Sequence, residues 1–283
     1  MKKFFLLASA LLICMNLSAQ LPLPAPSPTF ELKGTVGLSE VKVVYSRPSA
    51  KDRKVFGKLV PFGEVWRTGA NASTKISFSQ DVVIEGNPVP AGEYALYSIP
   101  GEKEFTIILS KNLTWWGTLG YDEAEDFLRF NVPTKHPSSH YETFTVSFSD
   151  FTMNSAKLNM KWEKTKAVFK IEQDAEAIAL AYIQEHMIDS NTAKDSDYYR
   201  AAGFFYDKYF DNKKALEWAN KAIEISGDQK KYWEYHLKAK ILARLNQNQE
   251  AMKFAKESIE LAKAGKNPDY VRLNERLLAT LDL

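Results

Sequence analysis

The pattern of apolar and polar residues divides the chain into two parts with different periods. Between about residue 30 and residue 172, short runs alternate apolar with polar residues or are rich in β-branched and aromatic side chains, as β-strands are. Clear examples are VKVVY (41–45), TKISFS (74–79), YALYSI (94–99), EFTIIL (104–109), YETFTVSF (141–148) and AKLNMKW (156–162). Because no long helical pattern interrupts these runs, we predict a mostly antiparallel β-sandwich over residues 31–172.

From about residue 174 the period becomes helical and alanine becomes frequent. Small or aromatic residues recur there at the spacing of paired helices: Tyr199, Ala202, Gly203 and Tyr206, then Ala215, Ala219 and Ala222, then Ala251, Ala255 and Ser258. This spacing resembles the tetratricopeptide family over about residues 195–265, since small residues let paired helices approach closely. We therefore expect an α+β protein whose residues 173–283 form an all-α helical-repeat domain, and the resemblance implies a protein partner for these repeats.

The first residues have the order of a secretory signal peptide. Lys2 and Lys3 precede an apolar run, and Ser18-Ala19 supplies small residues for cleavage, so we assign residues 1–19 to the signal. The apolar run is shorter than the roughly 20 residues that a transmembrane helix needs. Alternating prolines then indicate an extended spacer over residues 20–30. These features predict an exported protein, periplasmic or secreted, without a transmembrane segment.

Composition limits the possible partners and sites. Cys14, the single cysteine, lies inside the predicted signal, so the mature chain would hold neither a disulfide nor a cysteine-ligated zinc. The chain has 37 Lys and Arg residues against 35 Asp and Glu, and loss of Lys2 and Lys3 would balance them. A balanced charge argues against nucleic acid as a partner, because phosphate binding needs a clustered basic face. No polybasic run indicates association with a membrane either.

Motifs of known catalytic chemistry are missing. The chain contains no G-x-S-x-G, phosphate-binding loop, H-E-x-x-H or dinucleotide fingerprint. His136 and His140 have the spacing of a helical metal pair, but Pro133 and Pro137 argue against a helix there. We therefore predict no catalytic residue, no metal site and no cofactor, and we leave open whether the protein is an enzyme.

Two long connections inside the predicted β-sandwich, residues 46–73 and 110–126, carry the side chains most suited to binding. Aromatic, guanidinium, amide and carboxylate groups on such loops can contact a glycan or peptide ligand. The candidate ligand-binding residues are Trp66, Arg67, Asn71, Trp116, Tyr121 and Asp122. Structural roles remain open for each: the tryptophans can plug the end of the sandwich, Arg67 can pair with Glu64, Asp122 or Asp126, and the acids can begin a helix.

The stretch from Tyr45 to Phe78, with WRTGAN at residues 66–71, resembles a bacterial family known as domain of unknown function 2911. Further matching elements are Tyr45-Ser46-Arg47-Pro48, Arg53, Phe56-Gly57, Pro61, Thr74, Gly92-x-Tyr94, Trp116-Gly117, Tyr121-Asp122 and Trp162-Glu163. The resemblance covers about residues 30–172. It implies an exported, envelope-associated protein, joined in some members to tetratricopeptide repeats, and it implies no activity.

Three hypotheses about function follow. In the first, the protein is a binding or scaffold protein of the cell envelope, with a glycan, peptide or envelope component bound by the β domain and a protein partner bound by the repeats. In the second, it is a hydrolase or lyase of an envelope or extracellular polymer, with Asp122 or Asp126 as the acid–base group and Arg67 holding an anionic substrate. In the third, the β domain is purely structural and only the repeats bind. We favour the first.

Overall fold

The computed structural model describes residues 23–189, 193–208 and 210–281. The predicted signal peptide and the first residues of the predicted spacer lie outside these ranges. The chain divides into two compact units after Ala175, and each is described separately. None of the helices within the described ranges combines the length and apolar character that crossing a membrane requires.

Eleven antiparallel strands form the first unit within the described residues. They are β1 (Thr29–Val36), β2 (Ser39–Ser46), β3 (Thr74–Phe78), β4 (Val82–Ile84), β5 (Asn87–Val89), β6 (Gly92–Ile99), β7 (Glu104–Ser110), β8 (Asp126–Pro133), β9 (Tyr141–Ser149), β10 (Ser155–Glu163) and β11 (Thr165–Glu172). One sheet has the order β1-β2-β3-β6-β7-β8 and the other the order β5-β4-β11-β10-β9. All pairings are antiparallel.

The two sheets pack face to face around one apolar core. In β2 the alternate residues Val41, Val43 and Tyr45 are buried, and in β11 Phe169 and Ile171 are buried in the same way. Alternation follows because successive side chains of a strand point to opposite faces of the sheet. Each fully buried aliphatic or aromatic side chain contributes about 1.5–3 kcal/mol. The β-sandwich predicted from the alternation is confirmed.

Side chains from distant parts of the chain fasten the two sheets together. The Tyr45 hydroxyl accepts a hydrogen bond from the Val146 N–H at 3.0 Å. Gln173 is buried just after β11, and its carbonyl oxygen accepts from the Leu38 N–H. Its amide nitrogen donates to the Asp81 carbonyl at 3.1 Å. This buried glutamine, the Gln173 clasp, ties the end of the unit to the turn that follows β1.

Six helices form the second unit within the described residues: α1 (Ala175–Ile183), which continues into a π-helical turn (Gln184–Asp189), α2 (Asp195–Lys208), α3 (Asn212–Ser226), α4 (Tyr232–Arg244), α5 (Asn248–Ala264) and α6 (Pro268–Leu281). Helix α2 packs on α3, α4 packs on α5, and α5 packs on α6. An all-α region after the sheets confirms the predicted fold class.

Small residues lie where the helices touch. Ala202 of α2 and Ala215, Ala219 and Ala222 of α3 are buried, and Trp218 fills the space beside them. Helix α3 begins at a side-chain cap, because Asp211 accepts hydrogen bonds from the N–H groups of residues 213 and 214 at 2.8 and 3.0 Å. Close helix packing of this kind is what the spacing of the alanines predicts. The assignment to tetratricopeptide repeats stays a prediction.

Candidate functional site

The first long connection is held on the end of the sandwich by backbone pairing. The Trp66 N–H donates to the Ser98 carbonyl at 2.7 Å, and the Ser98 N–H donates back to the Trp66 carbonyl at 2.9 Å. The Thr74 hydroxyl donates to the Thr68 carbonyl at 2.6 Å. These bonds extend the first sheet beside β6. Successive side chains of residues 65–68 therefore point to opposite faces.

Trp66 points into the core, where its side chain is 8 % exposed. Its ring stacks on Trp162 with centroids 5.8 Å apart, and it meets Phe56 and Phe144 edge-on at 5.7 and 5.1 Å. The indole N–H donates to the Gly69 carbonyl at 3.0 Å. Little of this tryptophan is left to contact a ligand, so its arrangement is that of a residue that closes the end of the sandwich.

Arg67 points to the opposite face and joins the two long connections. One guanidinium nitrogen donates to the Asn71 carbonyl at 2.8 Å. The guanidinium also lies over Gly117, where a Cβ atom would come within 2.7 Å of the arginine Cζ. Gly117 has φ +72°, which glycine adopts with least strain. The Tyr97 hydroxyl donates to the Gly117 carbonyl at 3.1 Å and fixes this contact from below.

Asn71 fastens the first connection to the N-terminal segment. Its backbone is left-handed, with φ +60°, a conformation that asparagine tolerates better than most residues. Its amide nitrogen donates to the Ser27 carbonyl and to the Ser46 hydroxyl, both at 3.2 Å. The amide therefore has protein partners, although the residue is exposed.

The second connection covers the outer face of the first sheet. Trp115 and Tyr121 pack over Tyr97, with ring centroids 6.2 and 5.2 Å from it. The Lys75 ammonium donates to the Leu113 carbonyl at 2.6 Å, and burial lowers the pKa of this lysine. The two neighbouring tryptophans differ, because Trp116 is 67 % exposed at the tip of the connection.

The acidic cluster that follows is engaged within the protein. Tyr121 donates to one oxygen of Asp126 at 2.6 Å, and Arg129 donates to the same oxygen at 2.6 Å and to the tyrosine hydroxyl at 2.7 Å. Burial and the hydrogen bond to this carboxylate raise the pKa of Tyr121 strongly. Asp122 caps a short 3₁₀ turn, residues 123–125, by accepting from the Ala124 N–H at 2.9 Å. The helix-start interpretation of the acids agrees with this geometry.

The structure brings three of the six candidate residues together. Trp66, Arg67 and Asn71 line a cleft of about 350 Å³, which we call the arginine cleft. Its other lining residues are Ser27, Pro48, Arg53, Leu59, Val60, Gly69, Ala70 and Trp162. Trp116, Tyr121 and Asp122 do not line it, and neither does Asp126. We expected the two long connections to form one site together. In the structure they meet where Arg67 contacts Gly117, but the candidate residues of the second connection lie outside the cleft.

The charge of the arginine cleft is one-sided. Arg53 and Arg67 line it, and none of the described residues around it is acidic. Arg53 donates to the Ala50 and Ser49 carbonyls, both at 2.8 Å. Within the described residues, the arginine–carboxylate ion pairs involve Arg129 and Arg272 rather than these two. Two arginines without an ion-paired carboxylate among the described residues thus line one cavity.

Glu142 is an acid outside the cleft that is influenced by the charge of Arg53. Its pKa is lowered, chiefly by a hydrogen bond from the Lys51 N–H and less by His140 and by the charge of Arg53. Glu142 is itself bonded to Lys51 at 2.8 Å and does not line the cleft. Arg53 was not among the candidate residues, because nothing in the sequence indicates that it lines the same cavity as Arg67.

The molecule is thus a β-sandwich whose end is closed by one long connection, followed by a helical unit. Within the described residues no group of three His, Cys, Asp or Glu side chains can hold a metal ion. A family model described as "Protein of unknown function (DUF2911)" matches residues 27–171, about half of the chain, and the chain belongs to this family. No curated protein and no solved structure matches the chain.

Proposed function

We propose that the protein is a binding protein of the cell envelope whose β-sandwich holds a carboxylate-bearing envelope component, a glycan or a peptide, in the arginine cleft. The observation that carries the proposal is that two arginines, Arg53 and Arg67, and no acidic residue of the described chain line one cavity. Guanidinium forks match carboxylates in a planar, two-bond geometry. The cleft thus favours an anion over a neutral ligand.

The apolar lining indicates what accompanies the anion. Pro48, Leu59 and Val60 supply aliphatic surface, and the edges of Trp66 and Trp162 complete it. Both indole rings are buried, so they offer no flat face to a sugar. A carboxylate attached to a compact apolar body, as in a uronic acid residue or a peptide C-terminus, fits this lining better than a neutral sugar.

The cleft is held in place before any ligand arrives. Arg67 is positioned by the Asn71 carbonyl and by Gly117, and Asn71 is tied to Ser27 and Ser46. Groups fixed in advance lose less freedom on binding, which raises affinity. The same bonds also support the fold, so in this proposal Arg67 has both a structural and a binding role.

Export and a protein partner for the helical unit belong to the proposal. Export is supported by the signal-like order of residues 1–19. The partner is supported by the paired alanine-rich helices, α2 with α3 and α4 with α5, whose relatives in repeat proteins present extended binding surfaces. A hydrolase or lyase would need Asp122 or Asp126 beside Arg67, and neither lines the cleft.

Calorimetric titration of the full chain tests the cleft. The probes are a glucuronate oligosaccharide, a short peptide with a free C-terminus, and a neutral glucan of equal length. We expect saturable binding of at least one carboxylate probe and none of the glucan. Arg53→Lys and Arg67→Lys should each weaken it about tenfold, because the fork is lost while the charge stays.

Lys58→Gln is the matched control, since Lys58 is exposed in the same connection and does not line the cleft. It should leave the affinity within about twofold. Equal loss in the control and in the arginine variants would mean that binding reflects general charge, and the cleft would be the wrong site. Equal binding of glucan and glucuronate would refute the preference for an anion.

A further inference from the structure

A second cleft opens at the same end of the sandwich, and three of its nine lining residues are lysines. It encloses about 470 Å³, and its basic lining residues are Lys54, Lys103, Lys164 and His136. We call it the lysine cleft. Phe56 and Phe62 supply its apolar surface. The arginine cleft shares none of these residues, so the two are separate sites.

The walls of the lysine cleft are joined by backbone hydrogen bonds. Gly63 donates to the Pro100 carbonyl at 2.9 Å, and Thr134 donates to the Lys103 carbonyl at 2.9 Å. Lys135 and Lys166 exchange two bonds of 2.8 Å. Four segments that are far apart in the sequence are thereby fixed around one concavity.

The cations of the cleft are not neutralised by ion pairs. Within the described residues, the lysine–carboxylate pairs involve other lysines, namely 33, 157, 170, 208, 214, 221, 231 and 263. Two acids line the cleft, and one of them, Glu163, accepts a hydrogen bond from the Val55 N–H at 2.9 Å. Glu102 is the other. The three lysines therefore outnumber the two acids of the lining by one.

The kind of cation indicates the kind of anion. An ammonium group is a point charge with three donors on a flexible stem, whereas a guanidinium is a planar fork. Several separate ammonium groups suit a tetrahedral anion that offers oxygens in different directions, as lysines in phosphate sites do. Phe62, 38 % exposed at the wall, offers apolar surface beside that anion.

We infer that the lysine cleft binds a phosphate group, with Lys54, Lys103 and Lys164 as its cationic donors. The phosphate can belong to a soluble phosphate ester or to a lipid headgroup. This site is independent of the carboxylate site proposed above. The protein would thus recognise two anions at one end of the β-sandwich.

Titration of the full chain with inorganic phosphate, followed by amide chemical shifts in NMR, tests the inference. We expect shifts around residues 54, 103 and 164, and a Kd about tenfold weaker in Lys103→Gln and in Lys164→Gln. Lys58→Gln, which removes an exposed charge four residues from Lys54 but outside the cleft, should change the Kd by less than about twofold. Absence of saturable shifts, or equal weakening by Lys58→Gln, would overturn the inference.

Two further experiments distinguish the two clefts from each other and a lipid phosphate from a soluble phosphate ester. Arg67→Lys should leave phosphate binding unchanged, and loss of phosphate binding in that variant would place the anion in the arginine cleft and refute the assignment. Sedimentation with vesicles of phosphatidic acid, against vesicles of phosphatidylcholine, tests a headgroup. Binding to the first alone, sensitive to Lys103→Gln, assigns a lipid, whereas competition by glycerol phosphate without vesicle binding assigns a soluble ester.

Discussion

The contact between Arg67 and Gly117 predicts the effect of Gly117→Ala. An alanine Cβ would come 2.7, 2.8 and 2.9 Å from three atoms of the Arg67 guanidinium, closer than such atoms approach. Because the guanidinium is the end of a flexible side chain, we expect it to move away and to lose its hydrogen bond to the Asn71 carbonyl. The alanine must also adopt the left-handed φ of +72°.

Two terms set the magnitude. An alanine in the left-handed region costs about 1–2 kcal/mol relative to glycine. The lost bond to a partly exposed charged group costs about 1 kcal/mol, at the lower end for such bonds. The free energy of unfolding of the β-sandwich should therefore fall by about 2–3 kcal/mol. For a unit of about 150 residues this lowers the melting temperature by roughly 5–10 °C.

Gly120→Ala supplies the matched control in the same connection. Gly120 also has a left-handed backbone, with φ +79°, but its Cβ would lie 3.6 Å from the nearest atom of Trp115, an ordinary contact. Calorimetry of the full chain should show only the backbone term of about 1–2 kcal/mol for this variant. The extra loss in Gly117→Ala then measures the displacement of Arg67.

A double-mutant cycle with Arg67→Ala gives the sharpest comparison. In the Arg67→Ala background, Gly117→Ala should cost no more than Gly120→Ala, which corresponds to a coupling energy of about 1 kcal/mol. Equal costs for Gly117→Ala and Gly120→Ala in the wild-type background, together with zero coupling, would show that the two connections do not meet at this point.

Further predictions concern the core and the helical unit. Trp66→Ala should destabilise the β-sandwich by about 3–5 kcal/mol because its ring is buried, whereas Trp116→Ala should change stability by less than about 0.5 kcal/mol; denaturant unfolding compares them. Burial, with a smaller effect of Lys240, lowers the pKa of His236 below 6.5, so its contribution to stability is full above about pH 6.5 and is lost on acidification. Melting temperatures at about pH 7.5 and about pH 5.5 should show this loss of stability in wild type and in the exposed control His140→Gln, but not in His236→Gln. A loss of stability that persists in His236→Gln would exclude His236 as its source.

Local periodicity was sufficient to predict the fold class. The alternation in β2 and in the other runs depends only on the geometry of a strand, so it can be seen in the sequence. Alanines at helical spacing likewise predicted close helix pairs, and Ala215 and Ala219 are buried where α2 and α3 meet. Both patterns depend only on residues that are close together in the sequence.

The membership of the site could not be predicted in the same way. Arg53 and Arg67 line the same cavity. Phe56, which lies between them in the sequence, packs on Trp66 and on Trp162, the latter about a hundred residues away in the sequence. Such contacts depend on tertiary packing, which no spacing in a single sequence encodes. The roles of Trp115 and Trp116 could not be predicted for the same reason. Tertiary contacts of the second connection decide which of these adjacent side chains covers the sheet.

The Gln173 clasp has a consequence for the order in which the chain can fold. Gln173 bonds to Leu38 across 135 positions, and Tyr45 bonds to Val146 across 101. Contacts of such separation must wait for loop closure, and folds dominated by them form in milliseconds to seconds. The β-sandwich cannot close before its last strand, β11, is available to pair. The helical hairpins made afterwards close over short stretches, so the unit synthesised first has the slower route to its finished form.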